Sequence, residues 1–131
     1  MNQMDECIFE KVKGPAWDAI RPMMLEMCNG LLSVSPDSYA KLTTIYAKFT
    51  LDSSPSSPVY AVMWLKSSKQ ITVGFALPPD IVNRSLKDAP KGMTYRGLTR
   101  YLSLGIDDKI PVNFVEWARD AFSNVKGGVN E

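Results

Sequence analysis

Residues 45–77 read IYAKFTLDSSPSSPVYAVMWLKSSKQITVGFAL, and the fold class follows from how the apolar residues alternate along them. VYAVMWLK (59–66) is apolar on both faces, the pattern of a central strand covered on two sides. QITVGFAL (70–77) puts the large Ile71, Val73 and Phe75 on one face and the small Thr72, Gly74 and Ala76 on the other. A face without bulk admits a close helix, a second sheet element or a ligand; a close helix is the first expectation. Residues 39–51 change to period two, Thr43, Ile45, Ala47 and Phe49 alternating with Leu42, Thr44, Tyr46 and Lys48, and their β-branched and aromatic content predicts one further strand near 43–50. It is joined to 59–66 by LDSSPSSP (51–58), a loop of turn formers too short to link domains.

Outward from this stretch the period changes to three and four. Trp17, Ile20, Met24, Met27 and Leu31 step along one helical face, which predicts a helix over 15–29 with Gly14-Pro15 as its start and Asn29-Gly30 as its stop. Pro22 lies inside it, so the helix kinks there or a second helix begins at Arg21-Pro22. SVSPDS (33–38) is a turn. Residues 1–13 form a weak helix or a docking arm, with Met4, Ile8 and Val12 at helical spacing. On the far side, 80–88 has room for a short helix. Residues 98–104 make a fourth strand, with Leu98, Leu102 and Leu104 sharing a face with Arg100. Pro111 opens a last helix over 111–125, with Trp117, Phe114, Ala118, Ala121, Phe122 and Val125 as its stripe and Gly127-Gly128 as its stop.

Consecutive strands with short links pair antiparallel. The expected fold is therefore α+β: an antiparallel sheet of about four consecutive strands with N-terminal and C-terminal helices packed on it, in one domain over residues 1–131. The expected core is Trp17, Ile20, Met24, Ile45, Val62, Trp64, Val73, Phe75, Leu102, Phe114, Ala118 and Phe122.

The 131 residues carry 15 basic and 14 acidic side chains, a formal net charge of +1. That balance exerts no global pull on nucleic acid or an anionic membrane, so no nucleic-acid partner is expected. No apolar run approaches the length that spans a bilayer, and the N-terminus lacks the basic start and apolar run of a signal peptide. The expected setting is the cytoplasm. Cys7 and Cys28 are read as two small buried thiols without a disulfide.

The chain has no histidine, which removes serine–histidine and cysteine–histidine catalysis and histidine metal ligation. It has no glycine-rich phosphate loop, and two distant cysteines make no zinc site. No metal and no cofactor are expected. Paired carboxylates remain available for acid–base work, with Asp107-Asp108 and Glu116 with Asp120 as candidates. Their simpler reading is helix-start charge and a solvated helix face. The unusual segment is KDAPKGMTYRGLTR (87–100): Lys87, Lys91, Arg96 and Arg100 against Asp88 alone. Gly92 and Gly97 allow a ligand near the backbone, Tyr95 and Tyr101 offer stacking surfaces, and arginine matches carboxylate or phosphate with a planar fork. The competing reading is a solvated basic loop whose arginines pair with Asp107 or Asp108.

TIYAKFTL, PVYAVMWLKSSKQITVGFALP, DAPKGMTYRGLTRYLSL and IPVNFVEWARDAF, in this order, resemble a bacterial superfamily of domains of unknown function that includes YdhG-like proteins, some described as frataxin-like iron chaperones. The resemblance covers about residues 15–125 and implies an α+β fold with an antiparallel sheet. It implies no functional residue here, because oxygen-rich iron sites want clustered carboxylates and the acids look evenly spread. The expected function is a non-enzymatic binding or regulatory module for a small anionic ligand or a protein partner, acting through Lys87, Lys91, Tyr95, Arg96, Arg100 and Tyr101. The alternatives are an interaction protein working as a homodimer without a ligand site and, behind it, an enzyme using carboxylates alone.

Overall fold

The structure is a computed structural model that describes residues 3–81 and 83–129. A five-stranded antiparallel sheet runs in chain order: β1 (Tyr39–Thr43), β2 (Tyr46–Thr50), β3 (Val59–Ser67), β4 (Gln70–Phe75) and β5 (Arg100–Gly105). Three helices, α1 (Glu6–Lys11), α2 (Arg21–Leu32) and α3 (Phe114–Val129), flank it. The α+β antiparallel expectation holds, with one strand more than expected. Among the described residues no helix is long and apolar enough to cross a membrane.

The extra strand comes from a hairpin inside what reads as one strand. Thr44 and Ile45 turn the chain, so that Thr43 faces Tyr46 and Lys41 faces Lys48. Thr44 sits at φ 37°, the left-handed region that a β-branched residue rarely enters. Neither residue is a turn former, which is why the period-two pattern runs through the turn without a signal.

The inner face of the sheet carries Ala47, Phe49, Met63, Leu65, Ile71, Val73, Phe75, Leu102 and Leu104, all buried with α2 and α3. In β3 the register slips, Phe49 facing Ala61 and Thr50 facing Val59, so Tyr60 is an inserted residue that joins Ala61 in the inner core. Its ring lies 5.2 Å from Phe122 and 6.5 Å from Phe49, and its hydroxyl donates to the Leu31 carbonyl at 2.7 Å. That bond ties β3 to the end of α2, while burial pushes the Tyr60 phenol far up from its ordinary value. Phe75 meets Phe114 and Trp117 edge-on.

Several boundaries differ from expectation. Pro15–Trp17 is one 3-10 turn and α2 starts only at Arg21, with Pro22 in its first turn where no intrahelical bond is lost. Gly30 is not a stop but lies inside α2. A Cβ there would meet the Phe114 ring at 3.3 Å, so the glycine sets the closeness of α2 and α3. α3 starts at Phe114 rather than Pro111 and continues through Gly127 and Gly128. Residues 80–88 form turns in place of a helix, Val82 lying outside the described residues. Ile20, Met24, Val62, Trp64, Val73, Phe75, Leu102, Phe114, Ala118 and Phe122 are buried as expected, whereas Trp17 and Ile45 are half-buried. Ile8 of α1 is buried, as are Met4 ahead of the helix, bridged to Ala40, and Val12 at its C-cap. Cys7, on the other flank of α1, is exposed, contrary to expectation, while Cys28 is buried with its sulfur 3.6 Å from those of Met24 and Met63.

Among the described residues no helix covers the small face of β4. The segment between β4 and β5 folds back over it as a lid. Leu98, which precedes β5 instead of opening it, seats its side chain on Gly74 beside Tyr101; a Cβ on Gly74 would lie 2.6 Å from Leu98 and 2.7 Å from the Tyr101 ring. Val62, Trp64 and Tyr101 are buried under this lid, with Met93, Tyr95 and Leu98 half-buried around them.

Three stability measurements test this packing. Thr44→Asn, better suited to positive φ, is expected to raise stability by about 1 kcal/mol in chemical denaturation; no gain would place the turn elsewhere. Phe75→Ala should cost about 3–5 kcal/mol, and an unchanged melt would remove Phe75 from the core. Gly74→Ala should cost about 1–3 kcal/mol by overpacking and speed hydrogen exchange in the lid, and unaltered exchange there would show that the lid does not rest on Gly74.

Candidate functional site

Strand residues alternate between faces, and this separates the expected site. Arg100 faces Phe75 on the inner side of the sheet, where it is half-buried and its Nη1 donates to the Thr99 carbonyl at 3.0 Å. Tyr101 points to the outer side, facing Gly74. The two neighbours therefore cannot hold one ligand. Lys87 does share the outer side with Tyr101: their backbones form a one-residue antiparallel bridge, N–H to carbonyl at 2.7 and 2.8 Å.

The aromatic members are committed to packing. Tyr101 lies 5.9 Å from Trp64, and its hydroxyl accepts the Tyr95 N–H at 3.2 Å. Tyr95 meets Tyr46 edge-on at 5.8 Å. Burial pushes both phenols up, helped at Tyr95 by the neighbouring Tyr46, so both stay neutral near pH 7. Lys91 and Arg96 are exposed on the two turns of the lid, beside Gly92 at φ 80° and Gly97 at φ 94°. Lys66 reaches the same place from β3, its Nζ 3.8 Å from where a Gly92 Cβ would sit.

The arginines do not pair with Asp107 or Asp108. Among the described residues the ion pairs are Lys13–Glu10 and Arg21–Asp18, and the Asp108 carboxylate accepts the Gly105 N–H at 2.7 Å. Asp107 and Glu116 are exposed and Asp120 is half-buried on α3. Among the described residues no three cysteine or carboxylate side chains converge.

Charge is partitioned by the fold. The sheet and its lid, residues 39–50, 59–75 and 86–105, hold eight of the 15 basic side chains and one of the 14 acidic ones, leaving seven and thirteen for the rest. The acids are thus not evenly spread. A net charge of +1 conceals a basic sheet and lid joined to an acidic remainder.

Two grooves stand out. One of about 510 Å³ between α1 and α2 is lined by Gln3, Met4, Phe9, Leu25, Asn29, Leu32 and Ser33, with no titratable side chain among these described residues. The other, of about 350 Å³, has Lys41 and Lys48 on its floor and Ser53, Ser54, Pro55 and Ser57 of the β2–β3 loop in its wall, with Tyr39, Thr50 and Asp5 completing it. Sequence reasoning missed this second groove. Lys41 and Lys48 look unrelated until the Thr44-Ile45 hairpin brings them face to face. Comparison of the chain with family models, with curated proteins and with solved structures returned no match.

Proposed function

We propose that this chain is a non-enzymatic binding module that holds a small anionic ligand on the outer side of its sheet. The observation that carries this reading is the charge partition, eight basic side chains against one acidic on the sheet and lid. Cations without acidic partners keep their attraction for an incoming anion, whereas an arginine already held by a carboxylate has no fork left to offer. Of the residues first expected to form the site, Lys87, Lys91 and Arg96 keep that role and Arg100 does not, because it points inward. Tyr101 supports the lid from beneath through the Tyr95 N–H, and the Tyr95 ring packs the lid on Tyr46.

A bacterial cytoplasmic setting accompanies the reading. It is supported by the exposed free thiol of Cys7, which suits a reducing compartment. The resemblance to YdhG-like domains is supported by the antiparallel α+β architecture and contributes no ligand.

Titration with tripolyphosphate, followed by amide chemical shifts, tests the reading. Shifts are expected in the sheet and lid, and weaker binding as salt rises, because exposed charges are screened beyond about 8–10 Å at physiological ionic strength. Absence of shifts at low salt, or shifts confined to α1, α2 and α3, would overturn it.

A further inference from the structure

We propose that the groove between Lys41, Lys48 and the serine-rich β2–β3 loop is a subsite for the phosphate group of a small phosphorylated molecule. The proposal rests on the anion-binding reading above and locates it on the sheet.

The floor is a pair of like charges. Lys41 and Lys48 are directly opposite across β1 and β2, where side chains on one face stand about 4.5–5.5 Å apart and like charges are destabilising. Neither belongs to an ion pair among the described residues. Lys48 is half-buried and has Val62 as its neighbour on the other side, so packing limits its freedom to swing away. An anion between the two ammoniums removes the repulsion.

The wall supplies hydroxyls. Thr50 anchors the start of the loop by donating to the Asp52 carbonyl at 2.7 Å. The Ser57 Oγ accepts the Asp52 N–H at 3.0 Å, which leaves its own proton to donate. Ser53 makes no side-chain hydrogen bond within the described residues. Donors thus approach from floor and wall together. A tetrahedral phosphate presents oxygens in both directions, while a planar carboxylate presents two in one plane. The groove, about 350 Å³, has room for the organic group as well.

Among the described residues Asp5 is the one carboxylate in the lining. Its oxygens accept the Cys7 and Leu42 N–H groups at 3.0 and 3.2 Å, and these bonds, with a smaller contribution from the Lys41 ammonium, hold its carboxyl below the usual range, so it offsets part of the Lys41 charge. It places the phosphate on the serine side of the groove.

The test compares phenyl phosphate with benzoate, which share a ring and differ in the anionic group, by amide chemical shifts. Phenyl phosphate is expected to shift Lys41, Lys48, Ser53 and Ser54, and benzoate to bind more weakly. The double variant Lys41→Gln/Lys48→Gln should melt at or above the wild type without ligand and bind phenyl phosphate at least about ten-fold more weakly. Lys109→Gln/Arg119→Gln, which removes two exposed cations outside the sheet and lid, should retain that binding. Equal affinity for benzoate, or shifts confined to 87–100, would overturn this proposal while leaving the anion-binding reading intact. Silence of the sheet and lid toward both tripolyphosphate and phenyl phosphate would overturn both. Should the double variant fail to fold, the wild-type shift map decides.

Discussion

An antiparallel sheet has two faces, and here the helices cover only one of them. Because side chains alternate strictly along a strand, each residue buried against α2 and α3 commits its neighbours to the other face. Phe75 and Val73 go inward and Gly74 and Thr72 outward. The inner side solves its packing with aromatic edges, Tyr60 on Phe122 and Phe75 on Phe114 and Trp117. The outer side has no helix among the described residues and is closed over part of its width by the lid. That lid lies low because Gly74 has no side chain to hold it off.

The same division organises the charge. The helix acids Glu6, Glu10, Glu26 and Glu116 are exposed, and the strands and lid carry eight basic side chains with Asp88 as their one acid. Where the lid stops, at β1 and β2, the outer side is open and lysines stand on it. The β2–β3 loop then makes a wall beside them. The groove is a product of the lid's limited reach, the hairpin register and the position of a serine-rich loop.

The sheet edges are also closed locally. Residues 3–5 run along β1, Ala40 donating to the Gln3 carbonyl and accepting from the Asp5 N–H, both at 2.8 Å. On the far edge Lys87 bridges Tyr101 and the Asp108 carboxylate caps Gly105 N–H. Unpaired edge groups invite another strand. These contacts engage several of them within the chain itself. Asp108, read from the chain as a helix-start charge or an acid for catalysis, is thereby employed in a turn.

Much was determined by the chain alone: the antiparallel α+β class, the inner core around Met24, Val73, Phe75, Phe114 and Phe122, and the small outer face of β4. These depend on local period and side-chain volume, which the order of residues records directly. The Thr44-Ile45 hairpin left no such record, since β-branched residues occupy the turn and the alternation continues through it. Read as one strand, Lys41 and Lys48 would point to opposite faces roughly 23 Å apart, at about 3.3 Å per residue. Folded, they face each other. Arg100 and Tyr101 show the converse, adjacent in the chain and placed on opposite sides of the sheet. Which cations share a surface is a matter of register and face, and only the tertiary structure decided it.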